Sequence, residues 1–153
     1  MLYGATAGKL FAAGQAGERF AVRNSGATVV IEGCGSNGCE YMTGGLAVIL
    51  GKVGDNFGAG MTGGMAYVYD EEGTFPLYVN PENVIWQRLE VEHYEDQLKA
   101  LIQEHIDETD SRWAAQLLND WPLVRGQFWQ VVPKEMLSRL PVPVTAPERL
   151  SAE

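Results

Sequence analysis

In the first half of the chain the apolar residues fall in short runs rather than along a helical stripe. ATVVI (27–31), LAVIL (46–50) and MAYVY (65–69) are each bounded by glycine and rich in Val, Ile and Tyr. That is the pattern of a short buried strand rather than a helix. The runs repeat at a period of nineteen, which places Gly26, Gly45 and Gly64 in one column, each two residues after Asn24, Thr43 and Thr62. ATAGKLFAAG (5–14) is an earlier copy and brings Gly8 into the same column if one unit is eighteen residues long. Such a unit has no room for the helix of a βαβ crossover, but it can wind once around a solenoid, with each strand parallel to its copy in the next coil. The expected fold is therefore a mainly β, parallel β-helix. Phe11, Val29, Val48 and Tyr67 are expected to form one ladder, and Thr6, Asn24, Thr43 and Thr62 another at a polar corner. Gly8, Gly26, Gly45 and Gly64 are expected to turn the corners.

The pattern changes after residue 83. In EHYEDQLKALIQEHIDE the residues Tyr94, Leu98, Leu101, Ile102, His105 and Ile106 recur at helical spacing, which predicts an amphipathic helix. A shorter helix carrying Trp113, Leu117 and Leu118 is expected to follow, with Ser111 as N-cap and Pro122 as its stop. The reading divides the chain into β-helix coils over 1–83, a connecting strand and amphipathic helices over 84–121, and an extended or disordered tail over 122–153. Prolines 141, 143 and 147 favour that last reading.

Glycine usage sharpens the division, since only Gly126 of the 18 glycines lies beyond Gly73. Twenty acidic against 11 basic residues give a net charge of −9 with no basic cluster, which argues against nucleic acid as a partner. Apolar stretches such as Leu46–Leu50 are far shorter than the roughly 20 residues of a membrane helix, and the N-terminus lacks a signal-peptide layout, so a cytoplasmic chain is expected.

The candidate chemistry is sparse. Gly33-Cys34-Gly35-Ser36-Asn37-Gly38 is a literal G-x-G-x-x-G with Asp55 downstream, but only CEYMTGG separates it from the next apolar run. A glycine pair in seven residues leaves no helix to face a pyrophosphate, so nucleotide binding is not expected. Gly51-Lys52 lacks the following Ser/Thr of a phosphate loop. Cys34 and Cys39 match neither a CxxC pair nor a zinc half-site and read as small, semi-buried residues. His93 and His105 are twelve apart and read as surface or interface histidines rather than joint metal ligands. Glu90, Glu92, Glu95 and Asp96 read as a solvated helix start favourable to its dipole. No catalytic, cofactor or metal residue is assigned.

LYGATAGKLFAAGQAGERFAVRNSGATVVIEG, GCEYMTGG and NFGAGMTGGMAYVYD closely resemble the C-terminal glycine-repeat domain of the glutamate synthase large subunit. The likeness is strong from Leu2 to about Asn83 and looser around Thr109–Ala114. It implies a right-handed parallel β-helix in an enzyme that converts glutamine and 2-oxoglutarate to two glutamates. An amidotransferase domain and an FMN synthase domain with an iron–sulfur cluster do that chemistry, and FAD and NADPH act through the small subunit. None of these centres maps here, so the resemblance implies a non-catalytic scaffold whose partners are the other domains of the large subunit, with the small subunit a further candidate. The family's domain begins with further coils, so a fragment of a longer polypeptide is expected, prone to self-association through an uncapped N-terminal coil. The alternative is a stand-alone β-helix interaction subunit, since similar domains occur as separate chains in archaeal-type glutamate synthases and formylmethanofuran dehydrogenases.

Overall fold

A computed structural model describes residues 7–137, 139, 140 and 144. The apolar runs form β2 (Ser25–Ile31), β3 (Thr43–Ile49) and β4 (Gly63–Tyr69), preceded by the short β1 (Lys9–Phe11). These four strands pair in parallel, each with its copy in the next coil, and make a parallel β-solenoid of about three turns. β5 (Val84–Gln87) then leads to the helices α1 (Glu92–Thr109), α2 (Arg112–Asn119) and α3 (Trp121–Val124), and β6 (Phe128–Pro133) follows.

The expected tail behaves differently over its first part. Pro122 does not stop α2, which ends at Asn119. It stands in the first turn of α3, where its missing N–H costs nothing. In place of an unstructured stretch, β6 inserts antiparallel between β4 and β5 and completes a sheet of order β1-β2-β3-β4-β6-β5. FWQVVP is apolar on both faces, so it can cover the edge that β4 would otherwise expose. The prolines at 141, 143 and 147 lie outside the described residues.

Both faces of the sheet are covered, which explains why the runs are continuous rather than alternating. Val29, Ile31, Ala47, Ile49, Ala66 and Val68 point into the solenoid. Val30, Val48, Leu50, Tyr67 and Tyr69 point outward, where Tyr94, Leu98, Leu101, Ile102 and His105 of α1 pack on them. The outward ladder is Phe11–Val30–Val48–Tyr67, with Val30 in the place expected for Val29, which stacks between Leu10 and Ala47. The eighteen-residue step therefore falls between the second and third coils rather than the first and second. A register irregularity between Ser25 and Thr28 takes up the difference. Asn24 still lies beside Thr43, since Ser25 pairs with Gly44, but it is buried where Thr43 and Thr62 are exposed, so the three do not share one polar face. The Asn24 amide accepts from the Ala27 N–H at 2.9 Å and donates to the Ala27 carbonyl at 3.0 Å. Thr6 lies outside the described residues.

Opposite the sheet, each coil turns through a corner in which alternate residues are left-handed. These are Arg19, Ala21 and Arg23 in one coil, Asn37, Cys39 and Tyr41 in the next, and Asn56, Gly58 and Gly60 in the third. The alternation points backbone groups both ways along the solenoid. Arg19 N donates to Ser36 O (2.8 Å), Cys39 N donates back to Phe20 O (2.7 Å), and Arg23 N donates to Glu40 O (2.9 Å). Each non-glycine residue held left-handed costs roughly 1–2 kcal/mol, offset here by inter-coil hydrogen bonding.

Gly45 (φ +83°) and Gly64 (φ +80°) are left-handed, as is Gly8 (φ +94°), whereas Gly26 is not among the left-handed glycines. At Gly45 a Cβ would fall on the carbonyl oxygen of Ala27 and within 2.8 Å of the Asn24 amide nitrogen. At Gly8 it would meet nothing within 4 Å. Gly45→Ala is expected to cost roughly 2–4 kcal/mol through strain plus overlap, and Gly8→Ala about 1 kcal/mol through strain alone. Denaturant melts of the two variants compare them, and equal losses would remove the close-approach account of Gly45.

Candidate functional site: the coil ends where the helices dock

Three successive strands end in groups that hydrogen-bond to segments later in the chain. After β2, Glu32 Oε2 lies 2.9 Å from His105 Nε2 and accepts from the Ser111 hydroxyl at 2.8 Å. After β3, the Leu50 carbonyl accepts from the Trp113 indole at 2.7 Å. After β4, Asp70 accepts from the backbone N–H groups of Thr74 and Phe75, each at 3.0 Å, and from the Trp129 indole at 2.9 Å.

The local sequence sets up the first clamp. α1 ends on Asp110, which is left-handed (φ 56°), and Ser111 immediately caps α2 by accepting from Ala114 N–H at 3.1 Å. One short junction thus delivers His105, Ser111 and Trp113 to adjacent coil ends. Because the Glu32 carboxylate also receives the Ser111 O–H, His105 Nε2 is the donor in that contact. Its Nδ1 is buried with no hydrogen-bond partner among the described residues. His105, expected at a surface or interface, is wholly buried at the contact of α1 with the solenoid. His93 is exposed against Tyr94 and takes no part. Of the helix-start acids, Glu95 is a clamp of its own. It accepts from the Trp121 indole at 2.9 Å and from Arg125 at 2.7 and 2.9 Å, and Arg125 holds its carboxyl below the usual range.

A cleft of about 150 Å³ lies between these coil ends, with Tyr69, Asp70, Phe75, Trp113 and Lys52 in its lining. Lys52 pairs with Glu72 across its rim at 3.3 Å, and the guanidinium of Arg88 lies 3.6 Å over the Trp129 ring. Of the polar side chains here, Asp70, Trp113 and Tyr69 are engaged in hydrogen bonds within the fold. The tight Gly33–Gly38 loop is likewise committed. Its Cys34, Gly35 and Asn37 N–H groups donate to Lys52, Gly17 and Asp55 carbonyls at 3.0, 3.1 and 2.7 Å, so they do not converge on an anion. Cys34 and Cys39 are free thiols, and burial pushes Cys34 up to about 12 and Cys39 well above its ordinary value. Two such thiols fit neither an iron–sulfur cluster, which takes four ligands, nor a nucleophile's role. The loop does not fit a flavin phosphate. Among the described residues no group of three or more His, Cys, Asp or Glu is placed to hold a metal ion, and no helix is long and apolar enough to cross a membrane.

Fold and site together define a glycine-cornered β-solenoid domain buttressed by helices. The family described as the GXGXG motif matches residues 1–134, and the chain belongs to it. It is 75% identical over its whole length to the glutamate synthase [NADPH] large chain of Azospirillum brasilense. Over 86% of its length it is 58% identical to the ferredoxin-dependent glutamate synthase of Pyropia yezoensis and 54% identical to ferredoxin-dependent glutamate synthase 2 of Synechocystis sp.. The chain spans only 10%, 9% and 8% of those relatives, respectively.

Glu32→Ala leaves His105 buried without either ring partner and removes the Ser111 acceptor. A loss of about 1–3 kcal/mol is expected, with faster hydrogen exchange at Ala114 and Leu117. Glu32→Gln, which keeps an acceptor oxygen, is expected to lose less. An unchanged melt for Glu32→Ala would show that the clamp contributes nothing.

The thiols give a pH-dependent expectation. Since Cys34 is raised from 9.0 to about 12, the unfolded chain ionises first. The stability this burial provides is complete below pH 9 and is lost as pH rises toward about 12. At pH 8 neither cysteine is expected to react with an aromatic disulfide reagent until the chain is unfolded, and rapid native labelling would contradict this.

Proposed function

We propose that the chain is a non-catalytic scaffold domain of a cytoplasmic glutamate synthase, holding the amidotransferase and FMN synthase domains at a fixed separation. The observation that carries this is the pairing of homology with committed chemistry. The chain matches about a tenth of the NADPH-dependent large chain, while its Glu32 and Asp70 carboxylates and glycine-loop N–H groups are engaged in holding coils, helices and β6 together. A stack of hydrogen-bonded coils resists bending, and a channelled intermediate tolerates little misplacement of the two active sites.

Removing residues 1–90 from the full-length large chain is expected to uncouple the two half-reactions. Glutamine hydrolysis would then exceed glutamate formation from 2-oxoglutarate, while each domain retains activity on its own substrate, with ammonia supplied to the synthase domain. Half-reactions that stay stoichiometric after the deletion would rule out the scaffold role.

A further inference from the structure

We infer that Arg19, Arg23 and Tyr41 form a docking face for a carboxylate-bearing segment of the large chain outside residues 1–153. This rests on the scaffold reading and names one surface through which the scaffold holds a neighbour. The starting point is the left-handed corner. Its inter-coil hydrogen bonds put Arg19, Asn37 and Asn56 in one column, and Arg23, Tyr41 and Gly60 in another. Asparagine and glycine are the residues such a backbone tolerates, and Gly60 shows that its column accepts glycine. Arginine and tyrosine are among the poorer choices. Backbone preference therefore does not explain Arg19 (φ 59°), Arg23 (φ 56°) or Tyr41 (φ 54°), and strain kept against preference points to a use for the side chains.

Those side chains are presented rather than packed away. Tyr41 is 54% exposed, and both arginines are exposed. Tyr41 also lies where a Cβ on Gly60 would stand, so the missing methyl gives the ring its seat. Arg19, Arg23, Tyr41 and Glu40 surround a hollow of about 170 Å³ floored by Val22, which is 4% exposed. Two guanidinium groups against Glu40 leave the hollow locally positive in a chain of net charge −9. An acidic segment is thus drawn here and repelled by most of the remaining surface. A guanidinium fork matches a carboxylate, and tyrosine beside arginine is the composition of interface hot spots. Arg23 also interacts within the chain, so the test must separate that contact from an outside one.

The test uses the full-length large chain carrying Arg23→Lys, which keeps the charge and supplies an amine. Carbodiimide coupling and peptide mass spectrometry are expected to join position 23 to an aspartate or glutamate outside residues 1–153. In the wild type, phenylglyoxal is expected to modify Arg19 and Arg23 at least about tenfold more slowly than in the unfolded chain, with the protection fading between about 0.05 and about 1 M salt. The inference stands only if both results are obtained. Coupling confined to Glu40 or other carboxylates within the chain, no coupling, or unprotected arginines overturns it. Arg19→Gly with Arg23→Gly is expected to abolish docking while leaving the melting temperature unchanged or higher, whereas a purely structural role predicts a lower one. If the half-reactions uncouple on deletion of residues 1–90 but no outside crosslink forms, the scaffold reading survives and this face does not.

Discussion

Everything in this structure depends on how closely one coil lies upon the next. Strands in a ladder approach to about 4.8 Å, and a solenoid must keep that spacing through its corners as well as its strands. Carbonyls of one coil therefore press against the backbone of the following one. Cβ atoms at Gly44, Gly45, Gly51 and Gly63 would fall on the carbonyls of Ser25, Ala27, Glu32 and Thr43. The glycine bias of the first half follows from this close approach more than from turning alone. It also explains why the phrase TGG recurs at Thr43 and Thr62, where the chain enters β3 and β4 with two adjacent residues beneath the preceding coil.

The same spacing determines what the helices do. A parallel sheet only one strand deep in sequence per coil exposes an apolar face outward as well as inward, and here α1 to α3 supply the second cover. Polar contacts made where strands stop help to hold the helices, beside those made along the strands, such as Tyr67 to Gln97 of α1. Glu32 and the Leu50 carbonyl hold the α1–α2 junction, whereas Asp70 holds the Thr74–Phe75 turn and Trp129 of β6. β6 solves the remaining problem, the edge of β4, with a strand drawn from beyond the helices.

This hierarchy explains what could be read from the amino acids. The repeat of apolar runs, the α1 stripe and the Ser111 cap are local signals, and each is realised in the structure. Val30 rather than Val29 takes the outward position because glycines are not fixed marks of register, and an irregularity between Ser25 and Thr28 shifts the strand relative to Gly26. β6 was hidden because its partner strands lie far away in sequence and prolines dominate the composition around it. The left-handed corner carries almost no signal, since arginine, alanine, cysteine and tyrosine do not announce positive φ. Nor could the burial of His105 be separated from a partly exposed helix position, since its partner Glu32 is 73 residues away.

The Gly33–Gly38 loop shows where function can reside in such a fold. In a dinucleotide site, glycines free backbone N–H groups to converge on a phosphate. In this solenoid the same residue type lets those groups meet carbonyls of the next coil, and the hydrogen bonds that make the coil rigid are the ones a ligand would have needed. Binding chemistry and coil stacking compete for one set of donors, and stacking takes them. What the coils leave over is side chains on their outer rim and the spacing between rims. In a domain built this way, a residue that keeps a large polar side chain against its own backbone preference is where an interaction is most readily sought.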